Sequence, residues 1–198
     1  MEDKLTISYE NAARLVSSRL SEERYYHTLG VVGMAEELAG LNGLNYEKAR
    51  LAALLHDLFK EIPLRYQLKL AKRWNLLKFP EDEGAPHILH GPLAAYWLEF
   101  YWLYPDREVL NAISRHTLGY PGMSKLDMVI YCADLVEPSR DFPGVDKLRK
   151  ALYDNLEAGT LACLEHTVSF LEKTNRLIHP LTLQTLQDLQ RRLQFGTK

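Results

Sequence analysis

The sequence predicts an all-α protein, and three observations support that prediction. Apolar residues recur at helical spacing in most windows, as in the segment from Tyr9 to Leu20. Residues that favour helix N-caps, among them Ser21 and Asn45, stand directly before several of these windows. No window shows a convincing alternation of apolar and polar residues, which is the pattern typical of a half-buried strand.

The predicted helices follow one another with short connections. Ser124, with Asp127 three residues later, forms a capping-box pattern, and Gly43 is a typical residue to follow a helix end. A loop is predicted over residues 80–87, and a short turn in the sequence NRLIHP. In chain order, the predicted helices cover Tyr9 to Leu20, Ser21 to Gly43, Asn45 to Pro63, Leu64 to about Trp74, about Ile88 to Trp102, Asp106 to Gly119 and Ser124 to Pro138. Long helices follow between about Val145 and Asn175, and a final helix ends near Leu193.

The composition predicts a single globular domain over residues 1–198. The chain is 46% hydrophobic and 25% charged, with a formal net charge of -2, so a broad nucleic-acid-binding surface is not expected. No apolar segment approaches the length of a membrane helix, and the N-terminus lacks the apolar region of a signal peptide. Cys132 and Cys163 have no CxxC spacing and are expected as small core residues of a reduced, cytoplasmic protein.

The stretch LAALLHDLFK, residues 51–60, places His56 and Asp57 side by side in an apolar helical run. A carboxylate in such surroundings is costly unless it is paired or bound to a metal. Adjacent residues on a helix point about 100° apart, so the two side chains do not naturally face one partner. They can share a metal pair if the cluster lies beside the helix edge and Asp57 bridges two ions.

Four histidines and two aspartates lie in apolar helical stretches of this kind. They are His27, His56, Asp57, His90, His116 and Asp134. A ligand set of nitrogen and oxygen atoms without a thiolate suits Fe, Mn, Zn or Co. Six such ligands suggest two metal ions. Two ions about 3.5–4 Å apart can hold a phosphoryl group and activate a water. Each histidine taken alone also fits a structural role in the core, and Arg140 is near enough in sequence to pair with Asp134.

The order His27, His56-Asp57, Asp134 resembles the HD superfamily of metal-dependent phosphohydrolases, and the added His90 and His116 resemble its two-metal branch. The strings LLHDLFKEIP, ILHGPLAAYW, ISRHTLGYPGMSKLDMVIYCADLVEPSRDFPGV and NRLIHPLT together resemble the YqeK family. That family comprises bacterial hydrolases that cut diadenosine tetraphosphate symmetrically into two ADP. The resemblance spans about residues 27–182 and implies an HD-domain helical bundle.

The resemblance also implies roles for individual residues. All six histidines and aspartates match metal-ligand positions, and the family's metal is typically iron, with Mn, Co and Zn as alternatives. Asp57, Lys60 and Arg140 match catalytic positions, and the side chains of Lys60 and Arg140 are expected to contact phosphate. The positions that match the nucleotide site are Lys60, Glu61, Ile62, Pro63, Asp134, Leu135, Arg140, Leu177, Ile178, His179, Pro180, Leu181 and Thr182. His87 and His166 match no site position.

Two other functions fit the same resemblance. One is an HD phosphohydrolase acting on a nucleoside monophosphate or on guanosine tetraphosphate, and the other is a nucleotide-binding regulatory module without turnover. The expected partner is a small molecule, a dinucleoside polyphosphate or ADP, rather than nucleic acid or a membrane. The aromatic run from Tyr96 to Tyr104 is either core or a self-association face, which would make the protein a homodimer.

Overall fold

The computed structural model describes residues 8–195, and within that range the chain is helical with short connections and has no strand. The all-α prediction is therefore confirmed. Residues 1–7, part of the stretch that lacks signal-peptide character, lie outside the described range. The helices are α1 Tyr9–Ser17, α2 Glu22–Leu41, α3 Tyr46–Leu55, α4 Leu64–Arg73, α5 Glu81–Gly84, α6 His90–Phe100, α7 Arg107–Arg115, α8 Lys125–Val136, α9 Val145–Asp154, α10 Leu156–Lys173 and α11 Pro180–Phe195.

The predicted N-caps start their helices as expected. Ser21, Asn45 and Asp106 each accept a backbone N–H from the first turn of α2, α3 and α7. Ser124 and Asp127 form both bonds of the capping box at the start of α8. These bonds satisfy donors that a helix start would otherwise leave without partners.

Several helix boundaries differ from the sequence prediction. α3 ends at Leu55 rather than continuing to Pro63, and α7 ends at Arg115 rather than Gly119. The predicted loop over residues 80–87 contains the short helix α5, followed by a 3-10 turn at Pro86–Ile88. The predicted long helices between Val145 and Asn175 are present as α9 and α10, and the Asn155 side chain caps α10 by accepting the N–H of Ala158.

The core is built around α8, which packs against α2, α7 and α10, while α3 packs against α2 and α7. Buried aliphatic residues from these helices fill the centre, and both cysteines are free and buried there. Gly91 allows the start of α6 to approach the end of α7, because a Cβ there would lie 2.7 Å from the Ile113 carbonyl oxygen and 3.1 Å from the His116 ring. This close approach places His90 beside His116.

Candidate metal centre

Five elements bring the six predicted histidines and aspartates into one cluster. His27 lies on α2 and Asp134 on α8, His56 and Asp57 follow α3, His90 begins α6, and His116 follows α7. Two subsets, His27 with His56 and Asp134, and His56 with Asp57 and His116, each offer ligand atoms that all lie within 4.8 Å of one another. His56, Asp57, His90 and His116 are almost fully buried, and His27 is 9% exposed.

His56 and Asp57 reach the same cluster although they are adjacent residues. They follow the end of α3, in turns closed by i→i+3 hydrogen bonds from Leu58 N–H to Leu55 and from Lys60 N–H to Asp57. His56 Nε2 lies 3.4 Å from Asp57 Oδ2. Both side chains therefore face one cluster, as expected if it lies beside the edge of this segment.

Hydrogen bonds orient all four imidazole rings. The Nδ1 atoms of His56, His90 and His116 donate to the carbonyl oxygens of Ala53, His87 and Ile113, each three residues earlier, at 2.6, 2.8 and 2.8 Å. His56 and His116 directly follow α3 and α7, where the last turn of a helix leaves carbonyls without intrahelical partners. His27 Nδ1 lies 3.0 Å from Glu137 Oε1. The Nε2 atoms of His56, His90 and His116, which are acceptors when the rings are neutral, thereby point into the cluster. His27 Nε2 lies 2.9 Å from Asp134 Oδ1.

The convergence of these acceptor atoms fits a cation. His90 Nε2 and His116 Nε2 lie only 2.9 Å apart, although both protons are held on Nδ1. Among the residues that the structure describes, buried His56 Nε2 and Asp57 Oδ1 have no hydrogen-bond partner. Buried acceptor atoms without donors are costly in a folded protein, whereas a metal ion would satisfy them together.

Asp57 stands between two groups of nitrogen atoms. Its Oδ1 lies 3.1 Å from His90 Nε2 and 3.7 Å from His116 Nε2. Its Oδ2 lies 3.4 Å from His56 Nε2 and 4.0 Å from His27 Nε2. One carboxylate thus presents one oxygen to each group, which is the arrangement that a carboxylate bridging two metal ions requires.

The cluster also changes the acidity of its own members. Burial would raise the pKa of Asp57, but the adjacent His56 and then His90 hold it well below its usual value. The pKa of Asp134 is likewise lowered, because the bond from His27 and the charge of His56 outweigh burial. Burial, with His90 and His56 nearby, lowers the pKa of His116 to about 3. Both carboxylates and His116 are therefore in their metal-binding protonation states at neutral pH.

Three cations border the cluster. Lys60 Nζ lies 3.7 Å from Asp57 Oδ1 and 3.4 Å from His90 Nε2. Arg140 Nη2 lies 3.4 Å from Asp134 Oδ1, so the ion pair that the sequence left open is present. Arg24, which the sequence interpretation did not include, places Nη1 3.2 Å from Asp57 Oδ2. The side chains of Arg24, Lys60 and Arg140 are 30%, 33% and 39% exposed, so an anionic ligand in solution can reach each of them.

The residues after Lys60 have roles within the chain. The Glu61 carboxylate accepts both the N–H and the hydroxyl of Ser21, which fixes the start of α2 against the turn after α3. The Ile62 carbonyl accepts from Gln67, and Pro63 precedes α4. Leu135 packs against the core beside Asp134. Contacts of these residues with a nucleotide stay predictions.

The predicted nucleoside turn is tied to the segment before α6 through His179. The Nδ1 atom of His179 accepts the N–H of Leu181, so its Nε2 donates to Asp82 Oδ1 at 3.1 Å. Asp82 in turn accepts the N–H groups of Lys78 and Phe79 through Oδ2. Both ring nitrogens of His179 are thus occupied, which indicates that His179 shapes the turn.

The other turn residues differ in accessibility. Thr182 is buried and donates to the Leu118 carbonyl oxygen, whereas Leu177 is 54% exposed and Ile178 and Pro180 are half-buried. A cavity of about 660 Å³ lies beside the turn, between α6, α7 and the segment that contains Asp82. His179 and Leu181 line it, but none of the six clustered histidines and aspartates does. The cavity therefore lies outside the cluster.

Glu137 contacts the cluster, although the sequence interpretation did not include it. It is 1% exposed and holds His27 through the contact described above, and its Oε2 accepts the N–H of Ser139 at 2.7 Å. The close packing of Glu137 needs a glycine on α2, because a Cβ on Gly30 would lie 2.5 Å from Oε2. The sequence carried one signal for Glu137 and Arg24. Glu137 lies three residues after Asp134 and Arg24 three residues before His27, and residues at that spacing share a helix face.

The two remaining histidines lie outside the cluster. His87 contributes only its carbonyl oxygen, to His90, and burial together with the charges of Lys60, His90 and Arg176 lowers the pKa of its side chain. His166 lies on α10 and stacks on Phe142, with ring centroids 4.7 Å apart. Within residues 8–195, no helix has both the length and the apolar character needed to cross a bilayer.

The chain is similar to one protein family and to named relatives within it. The profile of the HD domain family matches residues 24–139. A Halalkalibacterium halodurans protein named symmetrical bis(5'-nucleosyl)-tetraphosphatase is 40% identical over 183 residues, which cover 90% of this chain and 95% of that protein. A Bacillus subtilis protein of the same name is 38% identical over 176 residues, covering 89% of this chain and 94% of that protein.

A solved structure extends the likeness to three dimensions. It comes from Clostridium acetobutylicum and is described as a predicted HD superfamily hydrolase involved in NAD metabolism. It matches with a TM-score of 0.89 and 35% identity, and covers 93% of this chain and 98% of its own. The family profile, the relatives and the fold agree: the chain belongs to the HD domain family and, within it, to the YqeK family.

Proposed function

We propose that this chain hydrolyses diadenosine tetraphosphate, and related dinucleoside polyphosphates, symmetrically, so that the tetraphosphate yields two ADP. The observation that carries the proposal is the position of Asp57, whose two carboxylate oxygens face two separate groups of imidazole Nε2 atoms. The names of the relatives from H. halodurans and B. subtilis support the same reaction. HD hydrolases are metal-dependent, and the donor set of this chain fits that requirement.

Two divalent ions are proposed to bind in the cluster. His27, His56 and Asp134 would hold one ion, His90 and His116 the other, and Asp57 both. When bound, such ions neutralise phosphate charge and lower the pKa of a coordinated water. Iron is the expected metal because it is typical of the family, and Mn, Co and Zn offer the same coordination preferences.

The reaction needs one water and one broken phosphoanhydride bond. The water oxygen forms a bond to the second phosphorus counted from the bound adenosine, and the bond from that phosphorus to the oxygen bridging the second and third phosphates breaks. The leaving ADP takes the electron pair of that bond. The attacking water gives up a proton, which passes to the leaving phosphate or to solvent. Lys60 and Arg140 border the cluster with exposed donors, so they would bind the phosphate oxygens and stabilise their charge during transfer.

The position of the cut is proposed to follow from where the nucleoside binds. The turn over residues 177–182 is attached through His179 and Asp82 to the segment that leads directly into His90. An adenosine at this turn would place its first phosphate near Lys60 and its second phosphate at the cluster. Holding the reacting groups in this geometry is the main contribution that the protein makes to phosphoryl transfer.

The experiment is a comparison of substrates with the purified, metal-containing protein. Diadenosine tetraphosphate, a nucleoside monophosphate and guanosine tetraphosphate are each incubated with it, and the products are separated by chromatography beside an analysis of bound metal. We expect rapid release of ADP from the first compound alone. Rapid turnover of one of the other two would indicate the alternative HD phosphohydrolase, and nucleotide binding without any turnover would indicate a regulatory module.

Other properties stay predictions from the sequence. They are a single domain over residues 1–198, a cytoplasmic location, a small-molecule partner without nucleic acid or membrane, and a homodimer formed through the aromatic run. Part of that run is exposed on the described surface, with Phe100 at 54%, Tyr101 at 57% and Leu103 at 66%. Tyr104 and Leu98 are buried, so only one side of the run is available to a second copy.

A further inference from the structure

Arg24 borders the cluster but has no role in the proposed hydrolysis. It stands one helical turn before His27 on the same face of α2, and its Nη1 lies 3.2 Å from Asp57 Oδ2. Its backbone carbonyl accepts the hydroxyl of Thr28, and the helix start is fixed by the bonds of Ser21 to Glu61. Arg24 is therefore held in a fixed place relative to Asp57 and the turn that contains Lys60.

The cations are not distributed evenly around the cluster. Lys60 lies at the end where His90 and Asp57 Oδ1 meet. The nucleoside turn is at the same end, because it is attached to the segment that leads into His90. Arg24 lies at the opposite end, on Asp57 Oδ2, the oxygen that faces His56 and His27. Arg140 lies at this end as well, beside Asp134. A polyphosphate that starts at the turn and passes Lys60 therefore reaches Arg24 only after crossing the cluster.

We propose that Arg24 binds the phosphate groups of the leaving half of a dinucleoside polyphosphate, on the far side of the bond that is cut. This inference rests on the proposed hydrolysis and adds a binding site for the second half of the substrate. The guanidinium is 30% exposed, carries a permanent charge and presents several N–H donors in a plane that matches phosphate oxygens. It would stabilise the charge that appears on the departing ADP, and it would favour substrates with phosphates beyond the cut.

The test compares two ligands that differ in length. ADP fills the proposed nucleoside pocket alone, whereas a diadenosine tetraphosphate with a methylene group between its second and third phosphates extends beyond it and cannot be cut there. We expect Arg24→Gln to weaken binding of this analogue by about 10- to 100-fold, which corresponds to the loss of one charge-assisted hydrogen bond. The affinity for ADP in the nucleoside pocket should stay unchanged. Arg24→Lys, which keeps the charge, should recover part of the affinity.

Two controls make the result specific. Arg14→Gln removes the same charge from an exposed position on α1 and should bind both ligands as the unaltered protein does. Lys60→Gln should weaken both ligands, because Lys60 lies at the end of the cluster where the retained ADP is proposed to bind. Bound metal is measured for every variant beside the calorimetric titrations.

The outcomes separate this inference from the proposed function. Equal weakening of ADP and of the analogue by Arg24→Gln would overturn it, as would unchanged binding of both. Loss of bound metal in that variant would also overturn it, since Arg24 would then only position Asp57. If the unaltered protein releases no ADP from diadenosine tetraphosphate, the proposed hydrolysis fails, whatever Arg24 does.

Discussion

His90 Nε2 and His116 Nε2 face each other at 2.9 Å, and neither carries the proton of its ring, because both Nδ1 atoms donate to backbone carbonyls. Two lone pairs this close repel each other in a buried site. Lys60 Nζ lies 3.4 Å from His90 Nε2, and a metal ion bound by both rings would remove the repulsion directly. Gly91 makes the contact between the two rings possible, because a larger residue at that position would push α6 away from α7. The metal is thus expected to stabilise the fold as well as to serve the reaction.

Removing the metal should therefore lower the melting temperature. A ligand present at about 100 times its dissociation constant stabilises a protein by about 2.7 kcal/mol, which corresponds to roughly 5–10 °C in a chain of this size. The measurement is calorimetry before and after dialysis against a chelator, followed by return of Fe²⁺ or Mn²⁺. An unchanged melting temperature after confirmed loss of metal would contradict the account of this contact.

Asp57→Asn tests the bridging carboxylate directly. The amide keeps the size of the side chain but removes the charge that faces both groups of imidazoles. We expect turnover to fall by more than about 100-fold and bound metal to be lost, since even residues one step outside a metal site cost about 10- to 100-fold. Helical content by circular dichroism should stay unchanged.

The matched control for that variant is Asp154→Asn. Asp154 is an exposed acid at the end of α9 that pairs with Lys150 at the surface. This control should keep its metal and full turnover. A bridging role for Asp57 is contradicted if Asp57→Asn keeps two metal ions per chain with full activity, and an unfolded variant would show that the pair is structural.

The histidines divide into ligands and bystanders. Alanine at His27, His90 or His116 should each reduce the metal content, because each Nε2 atom points into the cluster. Alanine at His87 or His166 should not, because His87 contributes only a carbonyl oxygen and His166 stacks on Phe142. Metal content is compared after identical purification. Equal loss in the His166 variant would mean that general destabilisation had been mistaken for ligation.

Glu137→Gln tests a residue that acts through His27. The carboxylate accepts from Nδ1 and so raises the basicity of Nε2, whereas an amide is a weaker acceptor. We expect metal affinity to fall by about 10- to 100-fold, with the fold intact. Competition with a metal-binding dye gives the affinity. Glu36→Gln, at a half-buried acid elsewhere on α2, provides the control, and an equal loss there would remove the special role of Glu137.

The sequence predicted local structure well where a single residue decides it. Ser21, Asn45 and Asp106 start their helices because each side chain needs only the N–H groups of the next turn. It failed where distant contacts decide. α3 ends at Leu55 although no proline or glycine follows before Pro63, and the turn after it is attached to Ser21 through the Glu61 carboxylate, 40 residues away along the chain.

The candidate site was predicted in the same uneven way. The order and neighbours of the six histidines and aspartates were visible in the sequence, and the structure brings all six together. Arg24 and Glu137 were not found. Their spacing of three residues from His27 and Asp134 indicates a shared helix face, but it does not indicate which distant carboxylate or imidazole each will meet. Their partners Asp57 and His27 are 33 and 110 residues away along the chain.

The central claim is that the second phosphorus from the bound adenosine is attacked, and the most direct test is hydrolysis in ¹⁸O-labelled water with mass analysis of the separated products. Diadenosine tetraphosphate should give only ADP. Diadenosine pentaphosphate should give ADP that carries the label and ATP that does not, because the nucleoside turn and Lys60 set the distance to the cluster. ATP with AMP from the tetraphosphate, or label in the ATP from the pentaphosphate, would contradict this geometry.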